Sequence, residues 1–189
     1  MVGPDVLPAK REKSAKHENI PFAGVIGLQD GVTSRGTVDD EFDREFDYEY
    51  IPYHVNKEIA FLFKRDKTLI EADLISNLPP LEQYSQSSIN PTAGIAGFLG
   101  RLIGYGSGDA VGHKRVSWYL TGARNRPAFN ACIKRIDAWD FDRIIPCHGD
   151  VVEPDMVVRN GKGEELGKGG KAYFRKLMEW HLAVKDKAA

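Results

Sequence analysis

The chain has 189 residues, 42% hydrophobic and 28% charged, the size and balance of one globular domain whose core needs no disulfide staples. Lys and Arg number 26 against 27 Asp and Glu, so the basic excess of a phosphate-neutralising nucleic-acid binder is missing. Two cysteines, Cys132 and Cys147, make no disulfide framework and suit a reducing compartment. No apolar run approaches the roughly 20 residues of a membrane helix. The polar, Pro-punctuated start lacks the apolar centre of a secretory signal. The expectation is a cytoplasmic protein with no nucleic-acid and no membrane partner.

Lys10, Arg11, Lys13 and Lys16 fit one short solvated helix after Pro8, and residues 22–28 read as a short strand. Between Asp39 and Glu49 acids interleave with Phe42, Phe46, Tyr48 and Tyr50. From Phe46 the alternation has period 2, which predicts a half-exposed strand. No Gly lies in that stretch to make the sharp turn of a calcium loop, so calcium is rejected. Residues 59–63 and 68–75 are two apolar strands joined by the polar turn Lys64-Arg65-Asp66-Lys67, an antiparallel hairpin stopped by Asn77-Leu78-Pro79-Pro80.

Residues 80–127 read as helical pieces joined by flexible loops, with Phe98, Leu99, Leu102 and Ile103 at helical spacing. Residues 127–139 are an amphipathic helix opened by Pro127, with Phe129, Cys132, Ile133, Ile136 and Trp139 on one side. Residues 143–150 are a short strand running into an exposed loop, where functional groups collect in α/β arrangements. The Gly-rich stretch 154–171 reads as a flexible loop, and residues 171–186 as a terminal helix with Tyr173, Phe174, Leu177, Trp180 and Leu182 on its apolar side. One domain over 1–189 holds all of this.

Three polar residues stand at the ends of, or inside, apolar strand-like segments: His54, Asp73 and His148. A carboxylate within an apolar strand is costly to bury unless an Arg, a metal ion or exposure at the strand end satisfies it. Other candidates fail. Cys147 and His148 are neighbours in an extended segment, so their side chains diverge and form no thiolate–imidazole dyad. The segment Gly104-Tyr105-Gly106-Ser107-Gly108 lacks the Lys-Ser/Thr ending of a P-loop. His113 and His181 have no partner at ligand spacing, and His181 reads as a surface or packing histidine.

Tyr53 through Phe63, followed by Thr68 through Asp73 and later by Ile145-Pro146-Cys147-His148-Gly149-Asp150, resembles the middle and end of a metallo-β-lactamase-fold protein. Gly3 through Arg11 and Asn77 through Ser85 are similar to a mostly fungal, uncharacterised group on that fold, and the resemblance spans nearly the whole chain. It implies an α+β fold of the αββα sandwich type, two mixed sheets face to face with helices outside. It also implies metal ligands at His54, Asp73 and His148, with Asp73 as the carboxylate that bridges two ions.

The superfamily's upstream cluster, His-x-His-x-Asp-His, has no counterpart here, and His17 stands alone. The expectation is therefore the back portion of the fold, without its first strands, and with an exposed sheet edge that pairs with another copy or a partner. Catalytic zinc takes three protein ligands and one open position, a count that one ion shared by His54, Asp73 and His148 would meet. Iron and manganese suit such ligands too. Asp150 has two readings, a carboxylate that orients a ligand imidazole and a turn residue after Gly149.

The expected function is metal-assisted hydrolysis of a small-molecule substrate, with no residue assigned as catalytic. The alternative is an inactive binding or scaffold protein that keeps the fold without the metal centre. A third idea is a small-molecule site under segment 95–120 acting as a lid.

Overall fold

The computed structural model describes residues 27–29, 32–34, 39–94, 97–98 and 108–184. The anticipated helix after Pro8, and most of the anticipated strand at 22–28, lie outside the described residues. So do residues 99–107, with Leu99, Leu102, Ile103 and most of the glycine run.

Strands β1 (Gly27–Gln29) and β2 (Val32–Ser34) form an antiparallel ribbon. Helix α1 (Asp40–Glu45) follows, a single short turn the alternating acids did not announce. Asp39 caps it, its carboxylate accepting the Phe42 N–H at 2.8 Å, and three acids in its first turn complement the helix dipole.

The central sheet runs β3 (Phe46–Ile51), β4 (Glu58–Phe63), β5 (Thr68–Ile70) and β6 (Arg143–Ile145) in spatial order. β3, β4 and β5 form an antiparallel meander, while β6 joins β5 in parallel. That parallel pairing requires a crossover, which carries helix α2 (Val111–Val116), a π-helical turn (Ser117–Thr121), a 3-10 turn (Ala123–Asn125) and helix α3 (Arg126–Asp137). Two layers follow, helices over a mixed sheet, and the fold class is α+β.

Burial along β4 alternates, with Ala60 and Leu62 on the helix-covered face and Ile59, Phe61 and Phe63 on the other. The covered face carries Ile51, Ala60, Leu62, Leu69 and Ile144 from the sheet, against Phe129, Cys132, Ile133 and Ile136 from α3. Those four helical positions recur at intervals of three and four, the spacing of one helix face. Each fully buried aliphatic or aromatic side chain there contributes about 1.5–3 kcal/mol. α3 begins as its sequence dictates: the Asn125 side chain accepts the Ala128 N–H and Pro127 sits in the first turn.

β3 is not half exposed as its alternation suggested. Tyr48 and Tyr50 lie under a second aromatic cluster with Phe42, Ile59 and Phe61. On the opposite face Glu49 is buried in a forked ion pair with Arg135 of α3, at 2.5 and 3.0 Å. Alternation marks two faces, and here both are covered.

The stretch read as a flexible loop over 154–171 is instead partly ordered as a hairpin. β7 (Val157–Arg159) pairs antiparallel with β8 (Glu165–Lys168). Asn160 builds the turn: its side-chain oxygen accepts the Lys162 and Glu164 N–H groups, and Gly163 takes a positive φ of 82°. The last helix is two pieces, α4 (Gly169–Leu177) and α5 (Glu179–Leu182), broken at Met178. Among the described residues no helix is long and apolar enough to cross a membrane.

Candidate metal centre

Asp73 and His148 stand at the carboxyl ends of the two parallel strands β5 and β6, where the backbone leaves the sheet and side chains can converge. Asp73 lies in a bend just past β5, not inside a strand as its apolar neighbours suggested. β5 ends at Ile70 because two buried carboxylates take over from strand pairing. Glu58, at the start of β4, accepts the N–H groups of Ala72 at 3.1 Å and Asp73 at 2.7 Å. Glu71 bends back to accept those of Leu74 at 2.8 Å and Ile75 at 3.2 Å. Four backbone donors that a strand would have spent on a neighbour are satisfied by side chains.

The His148 loop is tied to the same bend. Glu71 donates its N–H to Ile145 O, and Cys147 donates its own to Glu71 O. Beyond them Asn77 donates to His148 O at 3.1 Å and Asp150 donates to Asn77 O at 2.9 Å, closing a parallel bridge between Asn77 and Gly149. Gly149 has φ of 106°, and a Cβ there would meet the Asn77 carbonyl oxygen at 2.1 Å, so only glycine fits.

With these restraints His148 Nε2 lies 3.0 Å from Asp73 Oδ1. The second Asp73 oxygen accepts the Asn56 side-chain N–H at 2.6 Å. Asn56 donates its backbone N–H to His54 Nδ1 at 3.2 Å, which fixes the His54 ring in the loop between β3 and β4. His54 is fully buried, nearly parallel to Phe129 with ring centroids 6.3 Å apart. Its Nε2 is buried without a hydrogen-bond partner. Burial holds the His54 pKa below its ordinary value, while the charge and backbone of Asp73 pull it upward.

Of the three sequence-predicted ligands, His148 contacts the Asp73 carboxylate directly and His54 is linked to it only through Asn56. They do not close on one point: among the described residues no three His, Cys, Asp or Glu side chains converge as a metal-binding group. Asp150 orients no imidazole; its carboxylate accepts the Glu82 N–H at 2.8 Å and fastens the 80s segment. Cys132 is buried and Cys147 exposed, so no disulfide joins them. Burial and the nearby Glu49 charge push the Cys132 thiol up to about 12.

Sequence reasoning missed Glu58, Glu71 and Asn56. A signal was present for Glu71, an acid inside an apolar run, the argument that singled out Asp73; Glu58 only heads such a run, after Asn56 and Lys57. Burial raises the Glu58 pKa, and raises that of Glu71 well above the carboxylate range; Asp73's charge adds to both, and Glu58's adds to Glu71's. One oxygen of Glu71 is buried without a hydrogen-bond partner, so a proton on it is the state the burial favours. Behind it the Tyr173 hydroxyl donates to Ser76 O at 3.1 Å, and burial first, then the Glu71 charge, raises its pKa.

Of the two readings of His181, surface or packing, the buried ring fits packing, and it has partners. Its Nδ1 is 2.7 Å from Asn130 Oδ1 and its Nε2 is 2.8 Å from Ser117 Oγ. The order Ser–His–Asn has the polarity of a nucleophilic triad, but all three residues are buried and packed by Phe129, Trp118 and Met178, so no substrate reaches Ser117. The network locks α5 onto the crossover.

Comparison with family models, with curated proteins and with solved structures finds no match to this chain.

Proposed function

We propose that this chain carries part of a metal-dependent hydrolytic centre of the metallo-β-lactamase type, with His54, Asp73 and His148 as its ligands and a small molecule as substrate. The observation that carries the reading is the Asp73 carboxylate, shared between His148 Nε2 at 3.0 Å and an Asn56 link to His54. Two imidazoles and a carboxylate are the donor types that suit zinc, and also iron or manganese. The buried, partnerless Nε2 of His54 is a polar atom in want of a cation or donor. The donor set fits in kind, and a shared ion would have to replace the direct His148–Asp73 contact. Such an ion, when bound, supplies Lewis acidity and a water whose pKa falls to about 7. The protein's own part is positional. Glu58 fixes the Asp73 backbone, Asn56 orients its carboxylate, and the Asn77–Gly149 bridge presents His148.

The finer fold belongs to the same proposal. The four-stranded mixed sheet, with the crossover helix α3 laid over one face, supports one half of an αββα sandwich. β3, at one end of its sheet order, is where a further strand or a second copy would add. A cytoplasmic setting agrees with the two free thiols.

One observation favours a second reading, an inactive scaffold: no three candidate ligands converge among the described residues. Zinc titration of metal-stripped protein separates the two. The hydrolytic reading expects a one-to-one endpoint that Asp73→Ala and His148→Ala each remove. Zinc uptake no stronger in the parent than in Asp73→Ala leaves the scaffold.

A further inference from the structure

The crossover turns one stripe outward. Its buried side is His113, Lys114 and Ser117, and its outward side is Val111, Arg115, Tyr119, Leu120 and Arg124. Val111, Arg115 and Tyr119 follow at intervals of four, the spacing of one helix face. The wide π-helical turn closes where Gly122 donates its N–H to Ser117 O at 2.9 Å. Arg126 donates to the Trp118 carbonyl at 3.1 Å and lies over the Trp118 ring, which also meets the rings of Trp180 and His181. Trp118 is thereby taken inward and its two neighbours are left out: Tyr119 is 68% exposed and Leu120 63%. Arg115 and Arg124 are exposed on the same stripe and pair with no acid among the described residues. No Asp or Glu stands between Asp109 and Asp137 in the sequence, so no near neighbour along the chain neutralises them.

The complement lies elsewhere in the same chain. From Asp39 to Glu49 the sequence holds seven acids and a single base, Arg44. Asp40 and Glu41 of α1 are exposed and pair with no cation among the described residues. Next to them Phe42, Phe46 and Phe63 form a half-exposed stack, with successive ring centroids 5.1 and 5.0 Å apart. Aromatic faces accept guanidinium groups as well as apolar side chains. Acids beside an aromatic stack therefore match arginines beside Tyr119 and Leu120, in charge and in kind.

Within one molecule the two surfaces lie apart. α1 runs straight into Phe46, the start of β3. The stripe is anchored at the other end of that strand. A Cβ on Gly122 would meet the Phe129 ring at 2.8 Å, and that ring lies against His54, just past Ile51. The length of β3 holds the two ends roughly 17–20 Å apart.

We infer that α1 of one copy docks on the crossover stripe of a second copy, its acids against Arg115 and Arg124 and its aromatic stack against Tyr119 and Leu120. The contact is head to tail, so a pair keeps one free stripe and one free α1, and further copies add. It needs neither a strand added at β3 nor the proposed metal centre.

The test is analytical ultracentrifugation of the full chain in chelator, from micromolar to submillimolar concentration. The weight-average mass is expected to rise with concentration in about 0.01 M salt. It is expected to return to the monomer in about 1 M salt, as the Debye length falls from about 30 Å to about 3 Å. Arg115→Glu combined with Arg124→Glu, and separately Asp40→Lys combined with Glu41→Lys, set like charges against each other. Each pair is expected to weaken association at least about tenfold. Mixing the two double variants, each shown folded by its thermal melt, puts opposite charges back across the contact and is expected to restore the mass. A parent that stays monomeric at low salt overturns the proposal. So does association that high salt or either double variant leaves unchanged, or a mixture of folded variants that stays monomeric. A monomeric parent that sediments with phosphatidylserine vesicles overturns it too, and assigns the stripe to an anionic membrane.

Discussion

Acid should loosen the helical layer through His181, and the amount follows from its surroundings. The ring is 1% exposed, and burial, followed by the Arg126 charge, lowers its pKa from 6.5 to about 4. His113, facing it from α2, is lowered further, to about 3, by burial, by His181 and by Lys114. Above pH 6.5 both folded and unfolded chains carry a neutral imidazole and pH has no leverage. Between pH 6.5 and 4 the unfolded chain takes up a proton that the folded one refuses, so stability falls as pH falls. From pH 7 to pH 5 the loss assigned to His181 alone is about 2 kcal/mol. Glu58 and Glu71, with raised pKa values, push in the opposite sense, so the total slope of the parent is not the readout.

The difference from His181→Gln is the readout, because the carboxylates are common to both proteins. Glutamine can still bond Ser117 and Asn130 in part, and the variant should be less stable by about 1–3 kcal/mol at pH 7. At pH 5 that gap should shrink by about 2 kcal/mol. Urea unfolding followed by tryptophan fluorescence reads it directly, since Trp118 lies 5.1 Å from the His181 ring and meets Trp180 edge-on at 6.4 Å. A gap that stays constant across pH 5–7 would refute the assignment of a neutral, buried His181.

Two further substitutions probe the scaffold of the proposed metal centre. Glu58→Ala strips the acceptor from two amide donors beneath Asp73, and should cost about 2–4 kcal/mol of stability in denaturant melts. Zinc uptake should be lost in the fraction that still folds, and unchanged uptake would mean that Glu58 does not position Asp73. Gly149→Ala places a methyl against the Asn77 carbonyl at a φ of 106°, so the bridge that presents His148 must open. A loss of about 2–3 kcal/mol is expected, with the His148 ring resonances shifted away from their Asp73-bonded position in NMR spectra.

Much of the sheet was legible from local signals. The run Ile59–Phe63, the polar turn and Thr68 onward give a hairpin because alternation and turn chemistry agree within a few residues. The α3 helix was legible for the same reason, with Pro127 and a regular apolar stripe. Errors arose where a side chain, near or far along the chain, replaced the strand partner that a local rule assumes. β5 stops at Ile70 because Glu71 and Glu58 capture the next amides, and the part played by Glu58 is one that no window around Asp73 reveals. The hairpin β7–β8 hid among glycines because Asn160 supplies its turn bonds, and glycine content alone says only that the backbone is permissive.

The candidate site repeats that division between short-range and long-range information. His54, Asp73 and His148 were singled out by residue type and order; His148 lies against Asp73, while His54 is tied to it only through Asn56. What their order could not tell is how these links are made. The parallel pairing of β5 with β6 sets the two strand ends side by side, and the Asn77–Gly149 bridge carries that register past the sheet. Asp73 then needs no strand of its own, because Glu58 holds its amide and Asn56 its carboxylate. The arrangement is stiff around Asp73 and looser around His148, whose side chain is 60% exposed with Asp73 among its contacts. If the proposed centre takes an ion, His148 is expected to move first, while Asp73 stays held by Glu58 and Asn56 and the buried His54 ring by the Asn56 N–H.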